Sequence, residues 1–290
     1  MVEPSNYEDD LRFLRHFSAE VFHAVCWMPT LRCPLKCGYC AARALPVDTH
    51  GKPSSELTPE QWIALWQAAP RPIEQVAITG GEPGVYAGLG QVLAAVTWPF
   101  TVDSNLTVDP RKWLPEVTWG RVKAVNAGLH FHPAHERAAE YWQRLKWLRD
   151  RLPETAQVVC CYVATQRELP AEAREIADRA AECGAEVRPL MLDDSFLYRE
   201  RFPVRRGETA ELCAQGAWYA TVFPDSAVYR CTGHSYYAVN CMGKLNEGGW
   251  AIVPDKAYPC ADILCTVCDP GRPPWVNRYS QETGMVIPDG

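Results

Sequence analysis

The feature that most constrains the fold is an alternation of strand and helix signals from residue 22 to residue 194. Short β-prone apolar runs stand at Phe22–Trp27, Val76–Ile78, Phe100–Asp103, Val122–Val125 (continuing towards His130), Gln157–Val163 and Glu186–Leu192. Helical signals fall between them. Thr58 caps a helix running to about Ala69, with Pro59 at its first position; others span Tyr86 to about Val96, Pro110–Trp119, His135–Arg151 and Pro170–Cys183, the last closed by Gly184. Strands alternating with helices imply parallel βαβ units, hence an open parallel sheet or a partial barrel. In such folds ligands sit at the C-terminal ends of the strands.

Composition narrows the class. An apolar fraction of 47% supports a sizeable core. The net charge of -6 argues against a nucleic-acid surface. No apolar run reaches the roughly 18 residues of a membrane span, and the acidic start is wrong for a signal peptide. The chain reads as a cytoplasmic protein with no nucleic-acid or membrane partner.

Thirteen cysteines then need an explanation, since a chain this long does not depend on disulfides. Cys26, Cys160, Cys161 and Cys183 stand in apolar or helical surroundings and read as buried structural thiols. The others cluster near the two ends, and clustered reduced thiols are metal or cluster ligands. Cys33, Cys37 and Cys40 follow the first strand with C-x3-C-x2-C spacing. Three such thiolates can hold three irons of a cubane, leaving the fourth iron open to a ligand. Zinc is the competing reading, although a structural zinc site takes four ligands. His16, His23 and His50 are the nearby candidates for the fourth.

One βα unit later, Thr79-Gly80-Gly81-Glu82-Pro83 ends the second strand and opens on the same edge of the sheet. Its glycines permit close backbone approach to a ligand, and its carboxylate can accept from an ammonium group.

Together these two motifs resemble the radical S-adenosylmethionine (SAM) superfamily over residues 22–194. The resemblance implies a [4Fe–4S] cluster on Cys33, Cys37 and Cys40, with SAM chelating its open iron. Gly80, Gly81 and Glu82 would line the methionine moiety, and Tyr39 would meet the adenine through its backbone. Ser104-Asn105 resembles the family's Thr-Asn-Gly element, with Leu106 in place of the glycine. Gly128-Leu129-His130 stands where the family often has Ser-Leu-Asp or Ser-Leu-His. The implied chemistry is reductive cleavage of SAM to a 5′-deoxyadenosyl radical that abstracts hydrogen from substrate, fed by an external electron donor such as flavodoxin or ferredoxin.

After residue 194 the texture changes. Residues 195–209 read as a linker, 210–269 as a cysteine-rich unit containing a β-hairpin (Ala220–Arg230, turning at Pro224-Asp225-Ser226), and 270–290 as a loose tail; residues 1–21 precede the barrel. Cys213, Cys231, Cys265 and Cys268 resemble the ligands of a twitch domain, a smaller relative of SPASM, and imply a second, auxiliary [4Fe–4S] cluster. Zinc at these four, or no metal, are the alternatives. Cys241 and Cys260 are left as buried thiols or as hydrogen-atom donors to a substrate radical; Cys260 is also a possible replacement for Cys265 as ligand.

The expected fold is α/β, a partial (β/α)6 barrel with a small C-terminal cysteine-rich β-hairpin domain. His130, His132 and His135 lie near the functional rim, with His130 as a base for an alcohol proton. Arg188 and Asp193-Asp194 are further substrate contacts. The expected function is a radical SAM oxidoreductase or epimerase acting on a small polar molecule such as an amino-sugar or aminocyclitol. About thirty residues before the cysteine loop are too few for a leader-peptide recognition domain. A peptide-modifying enzyme, an epimerase or a crosslinker, is the alternative, and a non-enzymatic iron–sulfur or zinc protein a third reading.

Overall fold

A computed structural model of the chain describes residues 22, 24–37, 40, 56–130, 136–164, 170–191, 212–213, 219–229, 241–253 and 258–259. Its centre is an open nine-stranded sheet. Six strands come from the alternating region: β1 (Ala24–Thr30), β2 (Val76–Gly80), β3 (Phe100–Ser104), β4 (Val122–Leu129), β5 (Gln157–Ala164) and β6 (Glu186–Met191). They pair in chain order, all parallel. Four helices join them: α1 (Pro59–Gln67), α2 (Leu89–Ala95), α3 (Ala138–Arg151) and α4 (Pro170–Glu182). This is the expected unclosed α/β barrel. Among the described residues no helix is long and apolar enough to cross a membrane.

Local chemistry explains the elements. Thr58 caps α1 in a full capping box, its hydroxyl accepting from the Gln61 N–H while the Gln61 side chain accepts from the Thr58 N–H. Gly184 closes α4 in the left-handed region, at φ 69°. Two expectations need correction. The helix expected from Tyr86 begins only at Leu89, after a 3-10 turn at Pro83–Val85. The helix expected over Pro110–Trp119 is instead two 3-10 segments, Pro110–Lys112 and Glu116–Arg121. Pro115 lies between them, and its missing N–H and clash with the preceding turn break the helical ladder.

Alternate strand residues divide the sheet into two faces. Val25, Trp27, Ile78, Val102, Val125 and Cys160 face the helices and join the main core with Trp62, Trp66 and Trp98. Cys26, Met28 and Ala77 lie on the opposite, inner face.

The expected C-terminal hairpin forms as β8 (Tyr219–Val222) and β9 (Ala227–Tyr229), after a short strand β7 (Leu212–Cys213). Its turn places Ser226 at φ 66°. β8 runs parallel to β1 and hydrogen-bonds to it, so the hairpin extends the main sheet. β10 (Cys241–Lys244) forms the outer edge beside β9, and β11 (Tyr258–Pro259) pairs with β7. After β10, the short helix α5 (Leu245–Gly248) leads to Trp250, which sinks into the main core and donates its indole N–H to the Leu65 carbonyl at 2.7 Å.

Candidate functional site at the C-terminal strand ends

The cysteine loop leaves β1 at Thr30, so Cys33, Cys37 and Cys40 stand at the C-terminal edge of the sheet, all three half-buried and outside any disulfide. The Cys40 N–H donates to the Cys37 carbonyl at 3.3 Å, a tight turn within the motif. The loop is tied at its root. Arg32 makes a bidentate pair with Glu56, Nε at 2.9 Å and Nη2 at 2.7 Å, and the Thr30 hydroxyl donates to the same carboxylate. Glu56 is thus a branch point between the loop and the start of α1.

The Gly80-Gly81-Glu82 turn is pressed against that root. The Gly81 N–H donates to Thr30 O at 3.0 Å and the Glu82 N–H to Arg32 O at 2.8 Å. A Cβ on Gly81 would stand 2.3 Å from Arg32 O and 2.5 Å from Leu31 O; one on Gly80, whose φ is 116°, would stand 2.5 Å from Thr30 O. Both glycines are therefore required by close approach to the protein's own cysteine loop.

Glu82 is sealed, with 0% of its surface exposed. Its Oε1 accepts from the Ser104 hydroxyl at 2.8 Å and from the Gly84 N–H at 3.1 Å, and its Oε2 accepts from the Asn105 N–H at 2.7 Å. Burial outweighs these bonds and pushes the carboxyl up to about 7. The Asn105 side chain then donates to Cys33 Sγ at 3.3 Å. Glu82, Asn105 and Cys33 form one chain across the ends of β2, β3 and β1. The sequence points to each of these residues; their direct linkage comes from the structure.

Ser104-Asn105-Leu106 makes the turn in which the related element carries glycine, and Leu106 adopts φ 54°. The left-handed conformation costs a leucine about 1–2 kcal/mol. Its side chain is buried, at 1% exposed, and burial of a leucine is worth more than that. Leu106→Gly should therefore lower stability by about 2 kcal/mol despite relieving the backbone, as read by urea unfolding.

The donor set fits an iron–sulfur cubane. Cys33 feels the charge of Cys40 and of Glu82. Its thiol is raised mainly by burial, the state in which a soft metal deprotonates it outright. Among the described residues no three Cys, His, Asp or Glu side chains converge on a single ion; a cubane instead places each cysteine on a different iron.

His130 lies just beyond β4, with its ring folded back over the strand: a Cβ on Gly128 would stand 2.4 Å from His130 Nε2. The glycine found in place of the related serine makes that room. Burial lowers the pKa of His130, leaving the ring neutral near pH 7. Cys241 is exposed on the edge strand β10. The backbone of Cys213 lies in β7, opposite Tyr258. Tyr39, His132, His135, Cys231, Cys260, Cys265, Cys268 and Asp193-Asp194 lie outside the described residues. Cys26, Cys160, Cys161 and Cys183 are buried and outside any disulfide, as expected.

Residues 27–117 match the family model of the Radical SAM superfamily. The chain carries a radical SAM domain. Two solved structures are similar to it: Streptococcus suis SuiB bound to S-adenosylmethionine, at 11% identity and TM-score 0.46, and BtrN in complex with AdoMet and 2-DOIA, at 14% identity and TM-score 0.43. The first alignment covers 77% of this chain and 63% of SuiB, so the chain spans less than two thirds of that protein. The second covers 80% of this chain and 82% of BtrN. The radical SAM domain match spans β1 to β3, which includes the cysteine loop, the glycine turn and Ser104-Asn105.

Proposed function

We propose that the protein is a radical SAM oxidoreductase or epimerase acting on a small polar molecule of the amino-sugar or aminocyclitol kind. The observation that carries the reading is the Glu82–Asn105–Cys33 chain, which locks the glycine turn to the cluster loop at one edge of the sheet. Cys33, Cys37 and Cys40 hold the cluster. Gly80 and Gly81, whose backbones keep partly open surface, flank the methionine end of the cofactor, and Tyr39 its adenine. When bound, the cofactor supplies on one-electron reduction a carbon-centred radical that removes hydrogen from substrate. The chain's own contribution is position: Ser104 and Asn105 are held by Glu82, and neutral His130 takes the proton that an alcohol oxidation releases.

Residues 210–269 act as an auxiliary unit in this proposal, with Cys213, Cys231, Cys265 and Cys268 holding a second [4Fe–4S] cluster that passes electrons. A flavodoxin or ferredoxin delivers the reducing electron in the cytoplasm.

Isothermal titration of SAM into the anaerobically reconstituted protein tests the reading. One-to-one binding that is lost in a Cys33/Cys37/Cys40→Ala variant supports it; no binding to the wild type contradicts it.

A further inference from the structure

The inner face of the sheet carries a row of polar side chains just below the site edge. Asp103 on β3 is cross-strand partner to Asn126 on β4, whose Nδ2 donates to Asp103 Oδ1 at 2.8 Å. On β2, Thr79 stands one residue beyond the Ile78–Val102 pair, and its side chain donates to the same carboxylate. Two residues further along β4, Gly128 pairs with Cys161 on β5, and Cys161 pairs with Arg188 on β6. Arg188 acts electrostatically on both Asp103 and Cys161. Strand alternation puts all five side chains on the face opposite the aromatic core.

Two facts separate this row from a structural polar network. Asp103 is deep enough for burial to dominate its protonation, yet unlike sealed Glu82 it keeps accessible surface, as do Thr79 and Arg188. A group that is both desolvated and still accessible can be reached by a small ligand. The rest of the inner face is filled differently: Met28, Ala77, Phe223 and Tyr229 pack together on the hairpin side. The inner face is therefore apolar on the hairpin side and polar from β2 to β6, beneath the edge that carries the cysteine loop.

We propose that Thr79, Asp103, Asn126 and Arg188 form the substrate site, and that it takes a polyhydroxylated ring of low net charge, with or without one amino group. This assignment rests on the radical SAM reading above. Its logic is complementarity. Asp103 supplies acceptors, while Asn126 and Arg188 supply donors. Hydroxyl groups, each both donor and acceptor, match such a mixed row. One carboxylate facing one guanidinium leaves the row near neutrality, which disfavours phosphorylated sugars.

The test is binding to the reconstituted protein saturated with SAM, measured for myo-inositol, scyllo-inosamine, glucosamine and glucosamine 6-phosphate. At least one of the first three should bind, and the phosphate should bind at least tenfold more weakly than glucosamine. Asp103→Asn, which keeps shape, and Arg188→Gln, at a partly open position, should each weaken polyol binding at least tenfold while leaving SAM affinity within about twofold, since hydrogen bonds to a charged group are the strong ones and their loss is felt in full. Polyol binding unchanged in both variants, or no polyol binding to the wild type, overturns the site. SAM failing to bind the wild type overturns the radical SAM reading instead, and polyol binding is then read without it.

Discussion

Gly81→Ala is expected to lower stability by about 3 kcal/mol and to cut iron retention several-fold after anaerobic reconstitution and desalting. The added methyl meets Arg32 O, Leu31 O and Leu31 C at 2.3–2.6 Å. All three are backbone atoms, so no side chain can swing aside, and overpacking of this kind costs about 1–3 kcal/mol before any hydrogen bond is lost. Two bonds are at risk as well, Gly81 N–H to Thr30 O and Glu82 N–H to Arg32 O. Pushing Leu31 and Arg32 outward also displaces Cys33, the next residue. Gly120→Ala is the matched control: a Cβ there would have nothing within 4 Å, so stability should change by no more than about 0.5 kcal/mol. Equal behaviour of the two variants in thermal unfolding and iron content would refute the close-approach account of Gly81.

The second large effect is a pH dependence set by Glu82. Burial raises its carboxyl from 4.5 to about 7 in the folded protein. Between those values the folded state binds more protons than the unfolded one, so this group's stabilisation is fully present below about pH 4.5 and is lost as pH rises through 7. At 1.36 kcal/mol per unit, the swing is about 3 kcal/mol. Glu82→Gln removes the titration but misplaces one donor among Ser104, Gly84 and Asn105, all of which bond to the carboxylate. The variant should be less stable than wild type at pH 4.5 and should gain on it by about 3 kcal/mol by pH 8, in urea unfolding of the cluster-free chain. A stability difference that stays flat across that range would contradict the sealed-carboxylate picture.

Much of the fold is legible in the sequence because the signals are periodic or spaced. Apolar runs separated by capped helices give the order of β1 to β6, and Thr58 followed by Pro59 gives the start of α1 to the residue. Cysteine spacing and Gly80-Gly81-Glu82 give the site edge. Pro115 is where local reasoning fails, since the helical signal over 110–119 omits the break a proline imposes. The pairing of β8 with β1 is not legible, because a parallel contact between residues nearly two hundred positions apart leaves no local pattern.

The reason for the glycines is hidden for a related cause. Glycine signals close approach but does not name the approaching atoms, which are the carbonyls of Thr30, Leu31 and Arg32. Asp103 and Asn126 do carry a signal, each a polar residue inside a largely buried strand, but only the register shows that they are neighbours. The Arg32–Glu56 pair carries none, being two charged residues 24 positions apart.

The most direct test of the central claim is the iron and sulfide content of the reconstituted chain, compared with that of a Cys33/Cys37/Cys40→Ala triple variant. If these cysteines hold a cubane beside the Gly80-Gly81-Glu82 turn, the variant should hold about four fewer irons and four fewer sulfides per chain. A wild type that also carries the proposed auxiliary cluster would fall from about eight irons to about four, and one without it from about four to none. Iron and sulfide unchanged in the triple variant would contradict the account.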